Sequence, residues 1–122
     1  MSDSFMDLRV WQKAMDLAEE IYRGTATFPR EEMYNLTQQM RRSAISVPSN
    51  IAEGKGRNSR REFNQFLFHA RGSLLELQTQ VMIARRLNYF SEEQARQILE
   101  HANAVGRSLA GLINSLIEMT AA

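Results

Sequence analysis

The sequence predicts an all-α protein, folded as an antiparallel up-down-up-down four-helix bundle. Apolar residues recur at helical spacing in four long stretches, and no stretch alternates with the period of two that a half-buried strand shows. Only two prolines and six glycines interrupt 122 residues. The connections left between the stretches are short, which favours antiparallel neighbours.

The first helix is expected over about residues 7–24. Val10, Trp11, Ala14, Leu17, Ala18, Ile21 and Tyr22 form its apolar face, opposite Arg9, Gln12, Lys13, Asp16, Glu19, Glu20 and Arg23. Phe28-Pro29 then breaks the chain, and proline suits the opening turn of a following helix. That second helix is expected over about 30–54, with Glu31 and Glu32 at its positive end. Met33, Leu36, Met40, Ala44, Val47 and Ile51 keep one face along it. The register persists through Pro48, so the sequence predicts a continuous helix kinked there. The ring removes the bond to the Ala44 carbonyl, and Ser43, Ser46 or Asn50 stand near enough to satisfy the freed groups.

Residues 54–58, Gly-Lys-Gly-Arg-Asn, read as a turn. Ser59-Arg60-Arg61-Glu62 is a capping box that opens a third helix over about 59–87. Its core face is Phe63, Phe66, Leu67, Ala70, Leu74, Leu77, Val81 and Ala84. Ser91-Glu92-Glu93-Gln94 is a second box, opening a fourth helix over about 91–118. Its core stripe runs from Ala95 to Ile117, and Ala102, Gly106 and Ala110 offer small side chains for a close helix approach. One domain accounts for residues 1–122.

Composition bounds the function. Cysteine is absent, which excludes disulfides, thiol catalysis and cysteine-based zinc sites. The Met1-Ser2-Asp3-Ser4 start lacks the features of a signal peptide, and no apolar run approaches the ~20 residues of a membrane span, so we expect a soluble, cytoplasmic protein without a membrane partner. Net charge is only +1, but it is unevenly spread. Residues 1–32 hold 4 basic and 7 acidic side chains, residues 33–90 hold 9 and 3, and residues 91–122 hold 2 and 4. A basic middle thus lies between acidic ends.

Chemistry is sparse. A di-metal carboxylate bundle needs Glu-x-x-His pairs, but Phe66 and Ile98 stand three residues before His69 and His101. No nucleophile elbow or complete phosphate loop is present. We expect no catalytic residue, metal or cofactor. Two features stand apart from the core. Phe68, Leu75 and Met82 recur every seven residues about 140° from the core face of the third helix, which marks a candidate subunit interface. Arg41, Arg42, Lys55, Arg57, Arg60 and Arg61 place six cations within 41–61 against one acid, Glu53. Such arginines hold phosphate oxygens of RNA or DNA, pair with carboxylates of a neighbouring subunit, or simply solvate a turn.

Several stretches together resemble the bacterial family of four-helix-bundle proteins encoded in 23S rRNA intervening sequences. They are Leu8-Arg9-Val10-Trp11-Gln12-Lys13-Ala14, the Phe28-Pro29 junction followed by Glu32, and Gln39-Met40-Arg41-Arg42-Ser43-Ala44. The run from Ser46 to Gly54 (Ser-Val-Pro-Ser-Asn-Ile-Ala-Glu-Gly) and that from Ala70 to Leu77 (Ala-Arg-Gly-Ser-Leu-Leu-Glu-Leu) complete the match. The resemblance implies a bundle that assembles as a ring-shaped homopentamer and has no enzymatic activity. An accessory protein of diversity-generating retroelements is similar in fold and binds nucleic acid and a protein partner through a basic surface. The expectation is therefore a homo-oligomeric scaffold that binds RNA or DNA through the arginine-rich region. The alternative is a structural or protein-interaction module whose arginines stabilise the oligomer. For Pro48 and Asn50 we expect a structural role at the kink.

Overall fold

Four α-helices build the fold: α1 (Arg9–Thr25), α2 (Leu36–Lys55), α3 (Arg60–Arg86) and α4 (Glu92–Ala121). The computed structural model describes residues 4–121, with side chains for residues 4–119. Met1, Ser2 and Asp3, considered above for the absence of a leader, lie outside the described residues, as does Ala122. No strand occurs among the described residues.

The periodic apolar faces turn inward. Val10, Ala14, Leu17 and Ile21 of α1 meet Met40, Ala44, Val47 and Ile51 of α2 in one buried cluster. Leu67, Ala70, Leu74, Leu77 and Val81 of α3 join it, with Ala102, Val105, Leu109 and Ile113 of α4. Each helix packs on its sequence neighbour, and α1 packs on α4 to close the bundle. Polar pairs step in opposite directions along neighbouring helices. Ser43 donates to Glu76 (3.1 Å) while Ser46 meets Ser73 (2.8 Å), and Gln78 donates to Asn103 (3.0 Å) while Asn64 reaches the Ile113 carbonyl (3.4 Å).

The second helix starts later than its pattern predicts. After Pro29, Arg30–Glu32 forms a single 3-10 turn, and α2 begins only at Leu36. The Glu32 carboxylate explains the delay. It accepts from the Leu36 N–H (3.3 Å) and the Asn35 amide (3.1 Å), so it caps α2 from outside the helix. Met33, assigned above to the core face, is correspondingly 45% exposed. A 3-10 turn over Phe5–Asp7, capped by the Ser4 hydroxyl, likewise delays α1 to Arg9.

Pro48 sits buried inside α2, and the helix runs on through it. The Asn50 amide donates to the carbonyl (2.8 Å) and hydroxyl (2.9 Å) of Ser46, whose hydroxyl also meets Ser73. These polar groups thus tie the proline segment to α3. Just beyond, Gly54 belongs to α2 and not to the turn. A Cβ built there would lie 2.6 Å from Phe66 Cβ and 3.1 Å from the Phe63 carbonyl oxygen. At Gly54, α2 and α3 therefore approach more closely than a side chain there would allow. At Gly106 a Cβ would meet Leu74 at an ordinary 3.5 Å, so α4 does not need a glycine at that position to pack.

At the other end of these helices the two loops interlock. Phe28, between α1 and α2, packs edge-on against Phe90 (4.9 Å between centroids) and against Tyr89 (5.3 Å), both between α3 and α4. The Tyr89 hydroxyl donates to Glu32 (2.8 Å) across the same junction. Asn88 makes this loop turn with φ of 63°, a left-handed conformation that asparagine tolerates better than most residues.

Candidate nucleic-acid interface

Helix α2 ends at Lys55, where the Gly56 N–H closes on the Ala52 and Glu53 carbonyls, and Arg57 N–H bonds Gly54. Ser59 then caps α3 by accepting from the Glu62 N–H at 3.1 Å. Glu62 returns to the Ser59 hydroxyl (3.4 Å), a weaker form of the capping box than the one at α4. There the Gln94 side chain accepts from the Ser91 N–H (2.9 Å) while the Ser91 hydroxyl accepts from the Gln94 N–H (3.1 Å). These bonds fix the exposed turn that carries four of the six cations.

Those four differ in how they are held. The Arg57 guanidinium pairs with Glu53 at 3.0 Å and lies 4.7 Å above the Phe66 ring. Lys55 reaches over Phe63, with its ammonium 6.0 Å from the ring centre. Arg60 and Arg61 are exposed and make no hydrogen bond or ion pair among the described residues. Both occupy the first turn of α3, where unpaired N–H groups already give a positive potential.

Arg41 and Arg42 are not part of this group. Fourteen residues of helix separate Arg41 from Lys55, about 21 Å at 1.5 Å per residue. Arg41 is committed within the chain. Its Nε donates to the Thr25 hydroxyl (2.9 Å), its Nη2 donates to the Tyr22 carbonyl (3.4 Å), and its guanidinium stacks 4.6 Å from the Tyr22 ring centre. It thereby serves the carbonyl end of α1, a position where a cation is favourable. Arg42 is exposed and unpaired among the described residues. The six cations of the sequence are therefore two groups in space.

Phe68, Leu75 and Met82 stand in line on the outside of α3, at 42%, 58% and 51% exposure. The Arg71 guanidinium lies 4.9 Å from the Phe68 ring centre, and Gly72 beside them opens onto space. A second apolar surface escaped the sequence reading. Trp11, Met15 and Tyr22 of α1 and Ile45 and Pro48 of α2 line an open hollow of about 590 Å³. Met15 and Ile45 each follow a core alanine by one residue, which puts them about 100° off the core direction. That offset was the available signal. The hollow continues past Tyr22 into a second one, lined in part by Met33 and Tyr34.

Neither histidine joins a metal-binding set. His101 Nδ1 lies 2.7 Å from Glu20, linking α4 to α1, and His69 is exposed beside Phe66. No group of three or more His, Cys, Asp or Glu side chains is placed to hold a metal among the described residues. No helix among them is long and apolar enough to cross a membrane. Two carboxyls are held below the usual range: Glu93 on the surface of α4, chiefly by its bond from Arg96, and Glu32 at the interlocked loops. Bonds from Tyr89, Leu36 and Asn35 hold the Glu32 carboxyl below its usual range against a smaller opposing effect of burial, and the same Glu32 bond pushes the Tyr89 hydroxyl up.

Residues 6–111 match the family model described as 23S rRNA-intervening sequence protein. Among solved structures, the chain is similar to a protein of unknown function from the S23 ribosomal protein family of Bacteroides thetaiotaomicron VPI-5482. The two share 23% identity with a TM-score of 0.77, over 85% of this chain and 97% of that one. At that identity the likeness speaks for the fold. No curated protein matches the chain.

Proposed function

The chain belongs to the 23S rRNA-intervening sequence protein family, and from that premise we propose that it is a non-enzymatic, homo-oligomeric scaffold, a ring of five copies, that binds RNA or DNA through the α2–α3 turn. The observation that carries the nucleic-acid reading is the state of Arg60 and Arg61. Both are exposed, unpaired among the described residues, and set against the positive end of α3. Two cations there cost helix stability, a cost that a polyanion offsets. Arg57, steadied by Glu53 and Phe66, extends the same surface. The pentameric count rests on the family resemblance, and assembly itself draws support from the exposed Phe68–Leu75–Met82 stripe.

The test is the salt dependence of RNA and DNA retention by the native protein. Replacing Arg57, Arg60 and Arg61 with Ala should lower the slope of log affinity against log salt by about one for each phosphate that the variant no longer neutralises. Unchanged retention would remove the turn from consideration.

The α3 stripe also favours a second reading, in which the arginines serve the oligomer and no nucleic acid is bound. On that reading the same triple variant breaks the assembly, and the native protein retains no nucleic acid. Leu75→Glu separates the two parts: it should reduce the sedimenting mass in either case. A mass unchanged by Leu75→Glu would exclude the stripe as the interface.

A further inference from the structure

We propose that the hollow where the end of α1 meets the start of α2 binds a planar, hydrogen-bonding ring carrying an anionic group, a nucleoside monophosphate being the simplest such molecule. The hollow has a volume of about 560 Å³, within the ~300–1,000 Å³ of small-ligand clefts. Its walls are Tyr22, Met33, Tyr34 and Ile45. Tyr34 is 88% exposed, and Tyr22, Met33 and Ile45 are each exposed by more than two-fifths. Two aromatic rings and two aliphatic chains thus face water where a flat ring could cover them.

The polar groups specify the rest of the ligand. Arg41 and Arg42 line the hollow and no carboxylate does. Glu32, close in sequence, is occupied by Tyr89, Leu36 and Asn35. Arg41 is fixed through Nε and Nη2, and its Nη1 has no partner among the described residues. Arg42 is wholly unpaired there. One preorganised guanidinium beside one free guanidinium suits a phosphate or carboxylate. Thr37 adds an independent sign. The residue lines the hollow at 1% exposure, and its hydroxyl oxygen, itself covered, has no hydrogen-bond partner among the described residues. A buried unpaired hydroxyl costs free energy, and a small rotation of Thr37 that brings it to a ligand in the hollow removes that cost. The Gln38 amide, also unpartnered among the described residues, lines the same hollow. A ring with nitrogen or carbonyl groups at its edge matches these two side chains better than a hydrocarbon does. The site stands about 20 Å along α2 from the turn arginines, so it is distinct from the polyanion surface proposed above.

Titration of the full chain with adenosine 5′-monophosphate, followed by amide NMR shifts, tests the proposal. Saturable shifts are expected in the segment 33–46, with adenosine and inorganic phosphate each binding more weakly than the monophosphate. Arg42→Ala should weaken binding about tenfold or more, as loss of a charge-assisted bond does, and Tyr34→Ala by at least about fivefold, as loss of a stacking face does. Neither side chain makes a hydrogen bond among the described residues, so both variants should fold, which their own amide spectra report. The Arg57, Arg60 and Arg61 triple variant should bind the monophosphate normally, which keeps this result separate from the nucleic-acid test. Absence of saturable shifts at millimolar ligand, inorganic phosphate binding as tightly as the monophosphate, or full affinity in Arg42→Ala would each overturn the proposal. So would shifts in the same segment that follow protein concentration and ignore ligand, since a second copy would then cover the hollow.

Discussion

Replacing Gly54 with Ala should destabilise the protein, although helix propensity alone predicts the opposite. Gly54 lies within α2, where alanine is favoured by about 1 kcal/mol. Against this, the new Cβ would sit 2.6 Å from Phe66 Cβ, 3.0 Å from Phe63 Cδ1 and 3.1 Å from the Phe63 carbonyl oxygen. Carbon atoms pack at ~3.5–4.0 Å, so the overlap with Phe66 is about 1 Å. Phe66 Cβ cannot swing aside, because it is bonded directly to the backbone of α3. Relief requires α2 and α3 to separate at this point, and with overlap against a backbone-anchored atom the cost lies at the upper end of the roughly 1–3 kcal/mol of overpacking. Less the propensity gain of about 1 kcal/mol, the expected net loss is about 2 kcal/mol, read from the midpoint of urea unfolding followed by circular dichroism. Gly72→Ala is the matched control, since nothing lies within 4 Å of its added Cβ on the outside of α3. It should gain about 0.5–1 kcal/mol. A Gly54→Ala protein as stable as the parent would refute the reasoning, because the helix spacing would then not depend on a missing side chain.

Thr37→Val keeps the shape of a buried side chain while removing a hydroxyl that has no partner among the described residues, and should stabilise the unliganded protein by about 1 kcal/mol, raising the melting temperature by ~3–6 °C; a lower melting temperature would mean that the hydroxyl is satisfied after all. Glu32, held low by Tyr89, contributes stability that is present above the ordinary carboxylate range and fades as pH falls through its depressed folded value. Tyr89→Phe should therefore show its deficit in thermal melts at neutral pH and lose most of it in strong acid, whereas a deficit independent of pH would assign the effect to packing. Leu75→Glu should leave helical content unchanged while lowering the sedimenting mass, since Leu75 is 58% exposed and stands outside the core.

Much of the fold is legible in the sequence because periodicity and caps agree. The stripe from Leu67 to Val81 is buried where its spacing places it, and Ser59 and Ser91 open helices by the bonds their motifs announce. The start of α2 was hidden because its cap is a glutamate standing outside the helix, with Met33 falling in register by coincidence. Gly54 read as a turn residue because pattern alone cannot show that another helix needs its missing Cβ. The arginines were misleading in another way. Nearness in sequence suggests one cluster, but a helix carries charge away at 1.5 Å per residue, and Arg41 turns its Nε and Nη2 to α1. The hollow beside Tyr34 depends on two helices and a 3-10 turn meeting, which no single periodic stretch encodes.

The interlocked loops bear on how the chain tolerates being cut. Phe28 against Phe90 and Glu32 against Tyr89 fasten the α1–α2 hairpin to the α3–α4 hairpin at the end away from the α2–α3 turn. That turn, exposed from Gly56 to Glu62, is then the one covalent link between the halves with little packed against it. Its Arg57, in the turn itself, and Arg60 and Arg61, in the exposed first turn of α3, are of the residue type after which trypsin cuts. Brief digestion should give two helical fragments that stay bound and co-elute, each hairpin behaving as a subunit of a heterodimer. The linkage that evolution supplies as peptide bond is, on this geometry, replaceable by side-chain contacts at the far end.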